Sequence, residues 1–194
     1  MKETRILLVR HPETEANVTG RWVGRGNAPL TAVGHEQVPR LVGEIVRFEP
    51  DAIWSSPLGR TLAVAEEAAR TVGLELTIDE RLTELDFGDA EGLTYEEAVE
   101  RGIPFEFKCE DHPVAPGGES RRDILRRTDE VLADAMASSS RIAVVTHGGV
   151  FRSALVILLG LPIAGIWAFD IRNAQVAEVR VVDGHGMLVR FLQG

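Results

Sequence analysis

A chain of 194 residues, 44% of them hydrophobic, is long enough to bury one substantial core, and no compositional break divides it, so a single domain over residues 1–194 is expected. Its 21 Lys and Arg against 30 Asp and Glu leave a formal charge of −9, which argues against a general nucleic-acid or anionic-membrane binder, because both need a basic face. One Cys allows no internal disulfide, the apolar run Ile6 to Val9 is too short for a signal segment, and Ala154 to Leu161 is far too short to span a bilayer, so a cytoplasmic protein is expected.

Ile6 to Val9 and Ile142 to Val145 are unbroken runs of branched residues, the pattern of strands buried on both faces of a parallel sheet. Between them the pattern predicts a helix over Ala32 to Phe48, a strand at Ala52 to Ser55, a helix from about Leu58 to Val72 and a short strand at Leu76 to Ile78. Pro39 lies well inside the first helix and predicts a kink or an early stop there. Thr94 to Arg101 and Glu119 to Ala137 read as further helices, the latter with Ser120 as N-cap, and Phe151 to Leu159 as another. Val176 to Val182 and Met187 to Phe191, around Asp183 and Gly184, read as a β-hairpin. Strand and helix alternate, which predicts a three-layer α/β/α sandwich with a mainly parallel central sheet.

Two of the buried strands end alike. Val9 leads into Arg10, His11 and Pro12, and Val145 into Thr146, His147, Gly148 and Gly149. In a parallel sheet both histidines emerge at the carboxyl edge, where open α/β folds bind ligands. Ala52 to Ser55 delivers Ser56, Pro57 and then Arg60 to the same edge. Helix N-termini after His11 and after the Gly148 and Gly149 pair would add backbone donors, so the edge suits a phosphoryl dianion. At about 4 Å and an effective dielectric near 20, each cation attracts a unit negative charge by roughly 4 kcal/mol before desolvation. Phosphoryl transfer rests mainly on such positioning and neutralisation. A nucleophilic His11 needs one unprotonated nitrogen, which Arg10 and Arg60 favour by disfavouring the imidazolium, and an acceptor for its other nitrogen, such as a backbone carbonyl. An alkoxide leaves poorly without a proton, and Glu84, among apolar neighbours after a short strand, is the candidate acid.

These residues resemble the histidine phosphatase superfamily, in its phosphoglycerate mutase-like branch. Arg10, His11, Pro12, Glu13 and Thr14 through Asn17 are similar to the family's Arg-His-Gly-Glu-Thr signature, with Pro12 in place of the usual Gly. Arg21 to Gly24 with Pro29, Leu30 and Thr31 resemble the next block, and Ser56 to Thr61 the arginine block. Glu84 to Leu93 resemble the acid block, and Val145 to Gly149 the second histidine block. The resemblance implies a phosphoglycerate mutase-like fold and a phosphohistidine on His11. It implies Arg10, Arg60, His147 and Gly148 around the phosphoryl oxygens with Asn17 assisting, and Glu84 as proton donor and then water activator. Val23 and Gly24 would line the substrate mouth. No metal and no cofactor are implied, and the partner is a small-molecule phosphate ester.

The interval between the acid block and His147 is short compared with the family's mutases, which favours hydrolysis of small phosphorylated metabolites over mutase-type transfer. The third reading is a non-catalytic phospho-ligand or protein-binding module, which ought to lack His11 or Glu84. The segment of about 94–118 is expected to form a lid over the pocket. His35, His112 and His185 are expected at the surface, and Arg121, Arg122, Arg126 and Arg127 on a solvated helix face. Cys109 lacks the Arg six residues on that a cysteine phosphatase requires, position 115 being Ala115. Nothing in the sequence decides oligomeric state, and a homodimer is compatible with it.

Overall fold

The structure, a computed structural model, describes residues 2–106 and 110–192. Its centre is a six-stranded sheet built from β1 (Glu3–Arg10), β2 (Ala52–Ser55), β3 (Leu76–Ile78), β4 (Arg141–Thr146), β5 (Val176–Val182) and β6 (His185–Leu192). The order is β3-β2-β4-β1-β5-β6. The pairs β1–β4, β2–β4 and β2–β3 are parallel, while β5 pairs antiparallel with both β1 and β6. The sheet is thus mostly parallel, with an antiparallel hairpin along one edge. Asp183 and Gly184 close that hairpin with φ values of 49° and 82°, so the turn is tighter than the four-residue link predicted, and His185 and Gly186 already belong to β6.

Side chains alternate across the sheet, and the central strands bury both sets. Ile6, Leu8, Ile142 and Val144 face a core completed by α5 (Arg121–Ser138) and α6 (Gly148–Leu158). Leu7, Val9, Ala143 and Val145 face the opposite core, completed by α2 (Ala32–Phe48) and α3 (Gly59–Val72). These two cores make the three layers. The chain leaves β1 toward α2 on one face and β4 toward α6 on the other, so the crevice at their carboxyl ends lies at a switch point of the sheet.

Helix α2 runs from its Thr31 cap to Phe48 through Pro39 without stopping. Proline there deprives the His35 carbonyl of its usual donor, but both residues are exposed and water can take the donor's place. Helix α1 (Glu15–Val18) is a single turn after His11, and α4 (Tyr95–Glu100) begins at a Thr94 and Glu97 capping box. The expected lid is anchored on both sides: Phe105 stacks on Trp22 with centroids 4.1 Å apart, and Val114 and Ala115 are buried. The centre of that expectation, residues 107–109 including Cys109, lies outside the described residues. His35, His112 and His185 are exposed as expected.

Ser120 caps α5 as its sequence context predicts, with Oγ accepting from Asp123 N–H at 3.1 Å and the Asp123 carboxylate accepting from Ser120 N–H at 3.1 Å. Ser120→Ala should therefore cost about 1 kcal/mol, read as a lower urea midpoint at unchanged slope. An unchanged midpoint would show that this cap does not hold the helix.

Candidate active site

The β1–β4 register pairs Val9 with Val145 and Arg10 with Thr146, so the next residues, His11 and His147, leave the sheet side by side. His11 N–H donates to Thr146 O at 3.0 Å, and the two ring centroids are 5.2 Å apart. Both rings are buried. The His11 Nδ1 lies 2.7 Å from Pro12 O, which can only accept, so Nδ1 carries the proton and Nε2 is bare. This is the carbonyl partner that the sequence requires, supplied by the residue that departs from the usual Gly. Burial, then the charges of Arg10 and Arg60, hold the His11 pKa well below its ordinary 6.5.

His147 is fixed from both sides. Arg60 Nε donates to its Nδ1 at 3.1 Å, which leaves the proton on Nε2, 2.7 Å from Ser56 Oγ. Burial first, then His11, Arg60 and Arg10, push its pKa well below 6.5. The rest of the Arg60 guanidinium donates to the carbonyls of Gly26 at 2.7 Å, Gly24 at 2.8 Å and Val23 at 3.3 Å. Those carbonyls are held in place because Glu91 accepts from the N–H groups of Gly24 and Gly26 at 2.9 Å and 3.0 Å. Gly24 has no room for a side chain, since a Cβ would collide with Leu85 O. It therefore serves as backbone support for Arg60, while Val23 is the one of the pair that lines the cavity.

Arg10 donates from Nη1 to Ile171 O at 2.7 Å, and its buried Nε has no hydrogen-bond partner. Burial lowers its pKa to about 10, against the opposing charge of Glu84. Asn17 completes the cap of α1 through Oδ1, which accepts from Thr14 N–H at 3.0 Å and from Asn173 Nδ2 at 2.8 Å. The capping box of that short helix uses the Thr14 and Asn17 N–H groups, and the Glu15 N–H donates to Pro29 O, so part of the donor set expected there for an anion is committed. At α6 one of the expected donors, that of Gly149, is committed. Gly149 N–H donates to the Glu84 carboxylate at 2.9 Å, which also accepts from Leu85 N–H at 2.8 Å. A Cβ at Gly149 would collide with Glu84 Oε1, so glycine is needed for the carboxyl to lie on this helix end.

Arg10, His11, Asn17, Val23, Arg60, Glu84 and Gly148 thus share the wall of one cavity of about 220 Å³, with His147 directly behind His11 and Arg60. Two cations were missed by sequence reasoning. Arg152 lines the same cavity one helical turn after Gly148, and its Nη1 would lie 3.4 Å from a Cβ at Gly148. The spacing of four residues on a helix that starts at the site was the available signal.

The second is Arg127. The expectation of a solvated face holds for Arg122 and Arg126, which are exposed and ion-paired to carboxylates of their surroundings, but not for Arg121 and Arg127, which are buried. Arg127 sits three residues after Ile124 and four before Val131, on the inward stripe of α5. It donates to the carbonyls of Arg81 and Thr83 at 2.7 Å and of Glu84 at 3.0 Å, and pairs with Glu119 at 2.9 Å. One buried guanidinium therefore pins the backbone that carries Glu84. Among the described residues no group of three or more His, Cys, Asp or Glu side chains is placed to hold a metal ion.

Paired imidazoles among guanidinium groups, faced by a carboxyl at the carboxyl edge of a parallel sheet, define an enzyme that handles phosphate esters. The chain belongs to the histidine phosphatase superfamily (branch 1), whose family model matches residues 6–193. It is 31% identical over 192 residues to phosphoserine phosphatase 1 of Hydrogenobacter thermophilus, covering 96% of this chain and 90% of that one. Solved structures agree. The alpha-ribazole phosphatase from Shigella flexneri superposes with a TM-score of 0.87 at 26% identity, covering 98% of this chain and 96% of that one. A mycobacterial glucosyl-3-phosphoglycerate phosphatase superposes with a TM-score of 0.85 at 27% identity, covering 98% of this chain and 100% of that one. The chain is accordingly a phosphoric monoester hydrolase.

Two predictions come from this geometry. Because His11 and His147 are held neutral while unfolded histidine titrates near 6.5, the unfolded chain binds more protons below that pH, and stability must fall as pH drops through 6.5. The two rings together set a limiting slope of about 2.7 kcal/mol per pH unit. Denaturation midpoints between pH 7 and 5 should fall accordingly, and His147→Gln should remove close to half of the dependence. A pH-independent midpoint would contradict neutral burial. Arg127→Met should cost about 3–5 kcal/mol by taking the guanidinium from Glu119, which keeps Asp86 N–H and Arg25, and from three carbonyls, and Arg127→Lys should not restore it, because one ammonium cannot reach all four acceptors. Full thermal stability in the lysine variant would refute the clamp.

Proposed function

We propose that the protein hydrolyses small phosphomonoesters without a metal, through a phosphohistidine on His11. The observation that carries this reading is the His11 tautomer: with Nδ1–H committed to Pro12 O, the bare Nε2 belongs to a ring whose cavity is walled by Arg10, Arg60 and Glu84. In the first step Nε2 attacks phosphorus and the bond to the ester oxygen breaks. The oxygen takes a proton from Glu84 and leaves as the alcohol. In the second step Glu84 takes a proton from water, whose oxygen attacks phosphorus, and the P–N bond breaks to return neutral His11 and inorganic phosphate.

Arg10, through its unpartnered Nε, and Arg60 neutralise the equatorial oxygens, which carry most of the charge in a loose phosphoryl-transfer transition state. His147 contributes by holding the Arg60 guanidinium and by backing His11, and Asn17 by its amide nitrogen, which has no hydrogen-bond partner among the described residues. Three relatives named for phosphoserine, alpha-ribazole and glucosyl-3-phosphoglycerate support a small phosphorylated metabolite as substrate. Among the described residues no helix is long and apolar enough to cross a membrane, which is compatible with such a role. A homodimer is part of this proposal only as an arrangement that leaves the cavity open.

Turnover should persist in excess chelator. His11→Ala should abolish acid-labile labelling by a phosphate donor, while Glu84→Gln should slow hydrolysis of alkyl esters by about 10²–10⁴-fold and of esters with acidic leaving groups far less. Labelling that survives His11→Ala, or an equal effect of Glu84→Gln on both ester types, would overturn the assignment.

A further inference from the structure

A second cavity, of about 380 Å³, adjoins the first. Trp22, Glu84, Phe87 and Arg152 line both, so the two are compartments of one space divided at Glu84. In the mechanism proposed above the Glu84 carboxyl delivers its proton to the ester oxygen. The alcohol attached to that oxygen must therefore begin at Glu84 and extend away from the phosphoryl group. The second cavity is the space that begins there.

Its walls differ from those around His11. Leu85, Phe87, Val114, Ile124, Ile166 and Trp167 make most of it. Trp22 is a rigid partition, stacked on Phe87 at 6.1 Å and on Phe105 at 4.1 Å. Trp167 is 56% exposed, an unusual state for the largest apolar side chain, and its ring stands at this cavity with the Arg121 guanidinium 5.8 Å from its centroid. Among the described lining side chains Glu84 is the sole hydrogen-bond acceptor, and its carboxylate already accepts from Leu85 and Gly149. A polyhydroxylated alcohol would bring several O–H donors to a described lining with one carboxylate to accept them, whereas a ring or branched hydrocarbon would bury against six apolar side chains.

Resting on the proposed hydrolysis, we infer that the second cavity is the leaving-group site and selects phosphomonoesters of apolar, ring-bearing alcohols over those of sugars and polyols. Arg152 marks the boundary between the compartments, since it borders both and its Nη1 stands beside Gly148 near Arg10. The charged end of the substrate is thereby kept at His11 and the apolar end beyond Glu84.

The test uses primary alkyl esters, so that leaving-group reactivity stays nearly constant: 2-phenylethyl phosphate, ethyl phosphate and glycerol 1-phosphate. The first should exceed both others in kcat/KM by at least about tenfold, the discrimination a hydrophobic pocket gives for a group of this size. Trp167→Ala and Ile166→Asn should each lower the ratio of 2-phenylethyl to glycerol ester at least about fivefold, and Trp167, being at the rim, keeps the test valid if the buried change unfolds the chain. Equal kcat/KM for the three esters, or a preference for glycerol phosphate, would overturn the inference and leave the phosphohistidine reading intact. If no ester turns over and His11 takes no label, the phosphohistidine reading fails instead. Calorimetric affinities of 3-phenylpropylphosphonate and 3,4-dihydroxybutylphosphonate, which cannot be hydrolysed, then decide the inference: tighter binding of the phenyl compound sustains it and equal binding rejects it.

Discussion

The arrangement depends on the parallel, in-register pairing of β1 with β4. Because Arg10 lies opposite Thr146, the chain has no choice about where His11 and His147 go: both leave the sheet together, and the His11 N–H closes the last rung on Thr146 O. Strand β2 pairs on the far side of β4, with Ser55 opposite Val145, so Ser56 and Arg60 reach the same edge. Residues separated by more than a hundred positions are thus aligned by hydrogen bonds between strands buried on both faces, which is why a site with this much charge can rest on apolar sequence.

The local electrostatics oppose the global charge. The chain carries −9 overall, yet Arg10, Arg60 and Arg152 converge on one cavity, and desolvation lowers the pKa of all three. Buried like charges are costly unless something answers them. Here carbonyl oxygens of residues 23, 24, 26, 169 and 171 and the Glu84 carboxylate do so, and two imidazoles stay neutral rather than add to the repulsion.

Much of the fold was legible because its central strands are continuous apolar runs and its helices carry strong punctuation. Ala32–Phe48, Ala52–Ser55 and Leu76–Ile78 fall where the periodicity puts them, and Ser120 caps as its context requires. Helix α6 begins at Gly148 rather than Phe151, and of the glycine pair that reads as a loop Gly149 is demanded by the closeness of Glu84. The motif blocks likewise brought His11, Arg10, Arg60, Glu84 and His147 into view. Arg127 and Arg152 stayed hidden for a common reason: an arginine on an amphipathic helix reads as solvent-facing, and only the tertiary surroundings reveal that its guanidinium is received by carbonyls inside. Some of the backbone donors expected at α1 and α6 are committed to groups close at hand: Thr14 N–H to Asn17, Glu15 N–H to Pro29 O and Gly149 N–H to Glu84.

The Glu91 carboxylate stands outside the cavity lining and acts on it at one remove. By gripping the amides of Gly24 and Gly26 it shapes a short arc of carbonyls into which Arg60 is plugged. An arginine free in solvent surrenders roughly 2 kcal/mol of rotameric entropy when it is immobilised. At this position folding has already absorbed that loss, so an arriving anion meets a guanidinium that needs no further ordering. In the proposed mechanism anion capture is thereby tied to the order of residues 23–26, although none of their carbonyls would touch the phosphoryl group.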